Sequence, residues 1–295
     1  MTIRDFLFGP RAGSEKELPP VPRELTGALP ALNRLAAERP ELAPASRTLA
    51  AALRAVYEVT DPPEDAPPHA DPEVLEAAWR AGVPAVRAGD APPTIDAATL
   101  ARRAVSLCRA LGPTNPNAAA LGAAIGDGRA DLHAWSLAAL ADPGWSPDGP
   151  TALGLDPLLT RSVMRLALFP TLSRLSSRLA AGRPEGVWTR GECPTCGSPP
   201  TLAESRGLEQ RRYLRCGVCA DDWPGERLRC PFCGETDHRR LHYRFVEGEQ
   251  ERYRLSLCDA CGGSLPLVAT LTPLSAPALL VAELATAHLA ALDGP

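Results

Sequence analysis

Eight of the nine cysteines in this chain of 295 residues fall between Cys193 and Cys261, as four Cys-x-x-Cys pairs: Cys193/Cys196, Cys216/Cys219, Cys230/Cys233 and Cys258/Cys261. A two-residue gap lets both thiolates of a knuckle converge on one ion, and two knuckles complete a tetrahedral four-thiolate shell around zinc or iron. Nineteen residues separate Cys196 from Cys216 and twenty-four separate Cys233 from Cys258, room for a hairpin in each case, whereas only ten lie between Cys219 and Cys230. The economical assignment gives one ion to Cys193, Cys196, Cys216 and Cys219 and a second to Cys230, Cys233, Cys258 and Cys261. A crossed arrangement, in which the outer pairs share an ion, stays open on spacing alone. With every position taken by thiolate, neither site offers water or substrate an opening, which disfavours hydrolytic metal catalysis. His238 and His242 are further candidate ligands, but eight cysteines already saturate two tetrahedra.

The residues between the knuckles read as strands. Leu241, Tyr243 and Phe245 alternate with polar residues, as do Tyr253, Leu255 and Leu257, and Glu247-Gly-Glu-Gln lies between the two runs as a hairpin turn. Thr201-Leu-Ala, Gly207 and Tyr213-Leu-Arg repeat the plan between the first two knuckles. Glycine follows the second cysteine in three knuckles, as Gly197, Gly234 and Gly262, where a chain turning back towards the sulfurs needs positive φ.

Cys193-Pro-Thr-Cys-Gly-Ser-Pro-Pro, Arg212-Tyr-Leu-Arg-Cys-Gly-Val-Cys with Trp223 beyond, Cys230-Pro-Phe-Cys-Gly, Leu241-His-Tyr and Cys258-Asp-Ala-Cys-Gly-Gly-Ser-Leu together resemble the formate dehydrogenase accessory protein family (FdhE). The match covers about residues 190–270 and includes all eight ligand positions of the family. The resemblance implies an assembly factor, not an enzyme: cytoplasmic, helical and then rubredoxin-like, and acting on the catalytic subunit of a molybdenum or tungsten formate dehydrogenase.

The elements that must carry these modules are helical. Leu32, Leu35 and Ala36, then Leu49, Leu53, Val56 and Tyr57, recur at spacings of three and four, and Pro40 and Pro44 separate the two stripes. Asp71-Pro72 and Asp96 are helix starts. Further helices are expected at about 118–125, 130–141 and 157–180, the last bent or broken at Pro170. The expected fold class is α+β, and the expected division is an N-terminal segment (1–20), an all-α domain (21–186), a first four-cysteine module (187–229), a second (230–272) and a C-terminal helix (273–295). Within the helical part Cys108 reads as a small buried hydrophobe, and His133 with Trp135 as packing. His69 lies in a proline-rich loop, and His288 on the last helix is expected to be exposed. Phe6, Leu7 and Phe8 are more readily packing residues than a docking peptide.

Composition bounds the function. One lysine stands against thirty arginines, and the formal charge is −4. Eight thiolates and two divalent ions add −8 and +4, for a loaded charge of −8. Residues 191–263 hold eleven arginines and twelve acidic side chains, so a nucleic-acid-binding zinc ribbon lacks the positive excess it needs. Neither a signal sequence nor a membrane span is expected, and closely paired cysteines kept reduced favour metal over disulfides. A rubredoxin-like electron carrier is the remaining alternative to the assembly factor, although it needs no large helical domain.

Overall fold

The computed structural model describes residues 21–60, 71–88, 96–113, 115–140, 148–184 and 188–292. The expectations for Phe6–Phe8, for His69 and for its proline-rich loop fall outside them. The helical half runs through α1 (Ala28–Glu38), α2 (Ala43–Tyr57), α3 (Pro72–Ala81), α4 (Ala97–Leu111), α5 (Pro116–Gly126), α6 (Leu132–Leu140), the short α7 (Asp148–Ala152) and α8 (Pro157–Ala181). Its starts follow side-chain chemistry. Asp71 accepts from Glu73 N at 2.9 Å, Asp96 from Thr99 N at 2.7 Å and Asp156 from Leu158 N at 2.9 Å, each satisfying a first-turn N–H that the helix itself cannot. Pro170 does not break α8. The helix runs continuously from Pro157 to Ala181 with Pro170 inside it and buried, because both flanking halves bury apolar residues such as Met164, Leu168 and Leu172 in the same core.

The second half is one sheet. Among the described residues it has six strands in the order β3-β2-β1-β6-β5-β4: β1 (Leu202–Arg206), β2 (Arg211–Arg215), β3 (Asp222–Pro224), β4 (Leu241–Arg244), β5 (Tyr253–Cys258) and β6 (Ser264–Thr270). β1 and β2 form one hairpin, and β4 and β5 the other, with Leu241 opposite Cys258. β6 pairs antiparallel with β5 and parallel with β1, Ala203 facing Leu267, so the chain segments bearing the two cysteine groups are hydrogen-bonded into a single sheet. α9 (Ala276–Ala285) then returns to pack on α1 and α2. The C-terminal helix expected within 273–295 gives way at Thr286, and Ala287–Leu292 is 3₁₀. The α+β class read from the sequence is the one observed, with helices first, then a mixed sheet, then a closing helix.

The largest core cluster joins the halves. Leu100, Leu107, Met164 and Leu168 of the helices share it with Trp188, Leu214, Val218, Trp223 and all four cysteines from Cys193 to Cys219. Trp223 is 1% exposed, and a fully buried indole is among the largest single apolar contributions a core can hold.

Beneath the sheet lies a buried ionic network. Glu204 is fully buried and is paired with Arg206 and Arg215, and it also accepts from Thr270 Oγ1 at 2.9 Å and from Leu274 N at 3.2 Å. Arg215 in turn donates to the carbonyls of Leu274 and Ala220 at 3.0 and 3.1 Å. Burial works to raise the Glu204 carboxyl, but the hydrogen bond from Arg206 and the charge of Arg215 outweigh it and hold the group below its ordinary value. A carboxyl depressed in the folded state contributes stability that is present above the ordinary carboxylate pKa, about 4.3, and is lost as pH falls through the folded value. Glu204→Gln is therefore expected to cost ~3 kcal/mol or more at pH 7, because it strands Arg215 as an uncompensated buried charge. The variant should also flatten the acid limb below about pH 4 in urea melts taken across pH. An unchanged midpoint at pH 7 would show that the network contributes nothing.

Candidate metal centres

Each knuckle has the same backbone. The first-cysteine N–H donates to a carbonyl five residues on: Cys193 to Ser198, Cys216 to Asp221, Cys230 to Glu235 and Cys258 to Gly263, at 2.8–3.0 Å. The residue after the second cysteine donates back to the first cysteine's carbonyl, from Gly197, Ala220, Gly234 and Gly262, at 2.8–3.0 Å. That return requires the left-handed region. Gly197, Gly234 and Gly262 have φ of 79°, 78° and 69°, and in the knuckle without glycine Ala220 takes the same turn at φ 59°.

The four turns aim their thiols inward in two groups. Cys193, Cys196, Cys216 and Cys219 form one, and Cys230, Cys233, Cys258 and Cys261 the other, with every sulfur of a group within 4.8 Å of its fellows. This is the consecutive arrangement, not the crossed one. The near edges measure 3.5 Å for Cys193–Cys219, 3.4 Å for Cys196–Cys216, and 3.7 Å for both Cys230–Cys261 and Cys233–Cys258. A tetrahedron with metal–sulfur bonds near 2.3 Å has sulfur–sulfur edges of about 3.8 Å, whereas a disulfide needs about 2.05 Å. The groups thus fit a metal and not a disulfide, and all eight cysteines are free. His238 and His242 belong to neither group. His238 is exposed, and His242 Nε2 meets Asp259 at 2.7 Å.

The first centre is sealed. Cys193, Cys216 and Cys219 have no exposure and Cys196 has 8%. Burial pushes the Cys193 and Cys219 thiols well above their usual value, so four thiolates in this pocket need a cation among them. The helical half supplies the cover. Ala85 N and Val86 N donate to the carbonyls of Pro194 and Thr195 inside the first knuckle at 2.8 and 2.9 Å. Arg183, just past α8, pairs with the buried Asp221, whose Oδ2 lies 3.6 Å from Cys193 Sγ, and also bonds Asp222 O at 3.0 Å and Thr195 Oγ1 at 3.3 Å. Sequence spacing gave no hint of Arg183 or of residues 84–88, since a clamp made through tertiary packing has no periodicity.

The second centre stands at the surface. Cys230 and Cys258 are buried, but Cys233 and Cys261 are exposed, and among the described residues none of the four belongs to a core cluster. Behind it lies Arg212, 5% exposed, whose Nη1 donates to the carbonyls of Glu226 and Arg229 at 3.2 and 3.3 Å. Its Nε and Nη2 are buried and find no partner among the described residues, and Arg212 lines a small cavity together with Cys230 and Cys258. Four thiolates around a divalent ion carry a net −2, and an unpaired buried guanidinium is a suitable counter-charge for it. Arg212→Leu is expected to weaken retention of the second ion alone, read as metal per chain falling from two towards one after dialysis against chelator. Retention of both ions would remove Arg212 from this role.

In the helical half Cys108 is a 2%-exposed core residue against Gly122, and His133 is exposed beside a buried Trp135, as read from the sequence. His288 differs. It is half-buried, with Nε2 on Glu249 at 2.8 Å and Nδ1 against Ala285 O at 3.0 Å, because the 3₁₀ turn after Thr286 lays it across the β4–β5 hairpin. Tyr253 and Trp223 cover the interior, whereas Tyr243 and Phe245 stay 42% and 49% exposed. No helix among the described residues is long and apolar enough to cross a membrane.

A family model described as the FdhE central domain matches residues 192–227. The FdhE homolog of Aquifex aeolicus (strain VF5) is 31% identical over 84 residues, 28% of this chain and 29% of that protein. The FdhE homolog of Cronobacter sakazakii is 37% identical over 81 residues, 26% of this chain and 25% of that protein. Protein FdhE of Escherichia coli O127:H6 is 34% identical over 84 residues, 27% of this chain and 26% of that protein. These sequence matches thus span less than a third of the relatives' length. The crystal structure of the FdhE protein from Pseudomonas aeruginosa superposes with a TM-score of 0.61 at 26% identity, covering 93% of this chain and 92% of that one.

Proposed function

The chain is FdhE-like, by sequence in its cysteine region and by fold along nearly its whole length, and from this we propose that it is an accessory factor in the maturation of a formate dehydrogenase. In this reading it binds the catalytic subunit of a molybdenum or tungsten enzyme before that subunit is complete. The observation that carries it is the pairing of two four-thiol centres with no catalytic opening on an FdhE-like scaffold. Cys193, Cys196, Cys216 and Cys219 hold one ion, and Cys230, Cys233, Cys258 and Cys261 the other. Each ion, zinc or iron, ties two knuckles and their hairpin together. The division made from the sequence serves this role: a helical body (21–186), two four-cysteine modules (187–229 and 230–272) and a closing helix (273–295). The thiols require a reducing compartment, which the cytoplasm provides, and the acidic loaded charge suits a protein partner better than nucleic acid.

The test is an anaerobic affinity purification from cells expressing formate dehydrogenase, with the catalytic subunit quantified by mass spectrometry and metal measured on the same sample. Enrichment of the subunit supports the reading. A second reading, the rubredoxin-like electron carrier, draws on one observation, the solvent-facing Cys233 and Cys261. Stoichiometric redox-active iron with no enrichment of the subunit would favour it.

A further inference from the structure

The two cysteine modules repeat one another, and the repeat shows what one of them lacks. In the first, Pro84–Ala88 closes the knuckle tip: two backbone N–H groups reach the carbonyls of Pro194 and Thr195, and the Pro84 ring and Arg87 guanidinium lie against Gly197. Glu283 of α9 lies against Gly217 in the second knuckle. In the second module, Pro231 and Phe232 occupy the places of Pro194 and Thr195. Gly191 packs on the Pro231 carbonyl, but among the described residues no backbone N–H reaches the Phe232 carbonyl. Among the described residues nothing packs against Gly262 where a side chain would begin. Residues 232–234 and 259–262, the two tips, are exposed.

Apart from Asp259, whose Oδ2 meets His242 Nε2 at 2.7 Å, the bare tips are apolar. Phe232 is 41% exposed, Tyr243 42% and Leu228 60%, and they line one small cavity beside Arg227 and Arg229. Among the described residues no carboxylate lines that cavity. Arg227 uses Nη2 on the carbonyls of Glu209 and Gln210, while Arg229 shares Glu226 at 3.2 Å from outside. β4, which carries Tyr243, is an edge strand of the sheet. Exposed aromatics ringed by arginine form the composition that concentrates binding energy at protein interfaces.

We propose that this tip face of the second module, Phe232, Tyr243 and Leu228 with Arg227 and Arg229, is the docking surface for the client subunit. Its occupant is an apolar turn bearing a carboxylate, seated as Pro84–Ala88 is seated on the first module. The proposal rests on the accessory-factor reading and adds to it the place and the chemistry. The apolar side chains of the turn cover Phe232 and Tyr243, a free first-turn N–H answers the Phe232 carbonyl, and the carboxylate answers the arginines.

The test titrates the purified, metal-loaded chain against the immature catalytic subunit of a formate dehydrogenase, with metal content measured for each variant. Phe232→Ser with Tyr243→Ser is expected to weaken binding at least about 30-fold, and Arg227→Glu at least about fivefold, the range of interface anchors. Leu271→Ser, at an 82%-exposed position beyond β6, is the control and should bind as wild type does. If the double variant loses the second ion, the single variants Tyr243→Ser and Arg227→Glu, outside the knuckles, decide. Wild-type binding left intact in those metal-loaded single variants overturns the docking face alone, and so does displacement of the client by single-stranded RNA. No binding by wild type overturns the accessory-factor reading on which it rests.

Discussion

Challenged with a chromogenic chelator, the loaded chain is expected to give up its two ions in separate phases, the second centre at least about 100-fold faster than the first. That ratio corresponds to a difference of ~2.7 kcal/mol in the free energy of reaching the ligands. The chemistry of the two sites is the same, four thiolates in knuckles of one backbone pattern, so the difference comes from cover. At the second centre Cys233 and Cys261 are exposed and a chelator can attack without prior unfolding. At the first, all four sulfurs are buried within the main core beneath residues 84–88 and α9, so attack waits on a local opening that breaks the Ala85 and Val86 hydrogen bonds and the Arg183–Asp221 pair. Cys261→Ser should remove the fast phase and leave the slow one. A single phase, or a fast phase that survives Cys261→Ser, would show that burial does not govern release. Iodoacetamide modification followed by peptide mass spectrometry gives an independent readout, since alkylation should reach Cys233 and Cys261 first.

The contrast between the centres was invisible in the sequence, although their composition was plain. Four Cys-x-x-Cys pairs, their intervals and the hairpin alternation around Gly207 and Gly248 are local patterns, and local patterns are what a sequence shows without tertiary knowledge. The helix starts at Asp71 and Asp96 were legible for the same reason, because capping is settled within three residues. What could not be read depends on contacts between distant segments. The parallel pairing of β1 with β6 joins residues some sixty apart and leaves no periodic trace. Residues 84–88 look like an ordinary proline-containing turn until they are found on the first knuckle. Helical periodicity carried past Thr286 would expose His288, but there the chain tightens to 3₁₀ and turns the imidazole onto Glu249. At Pro170, burial on both sides keeps α8 continuous through a residue whose local propensity argues for a break.

The same asymmetry predicts unequal consequences for folding. Structural four-thiolate sites can contribute on the order of 10 kcal/mol of folding free energy, but how far the loss of one spreads depends on what the site packs against. Cys193, Cys196, Cys216 and Cys219 share a cluster with Leu107 and Leu168 of the helical half and with Trp223. Cys216→Ser places a hydroxyl in a fully buried position and removes the ion that holds both knuckles. It should therefore lower the melting temperature of the whole chain, helical signal included, by roughly 10 °C or more, since each kcal/mol is worth about 2–4 °C in a domain of this size. Cys261→Ser, at an exposed position outside every core cluster, should loosen the β4–β5 hairpin and leave the helical melting within a few degrees of wild type. Thermal melts followed by circular dichroism at 222 nm, with metal content measured on the same samples, separate the outcomes. Equal losses in the two variants would mean that the continuous sheet, through β5 and β6, couples the centres more tightly than their separate cores suggest. Neither variant lowering the helical melt would mean that the first centre is not part of the core that folds the rest.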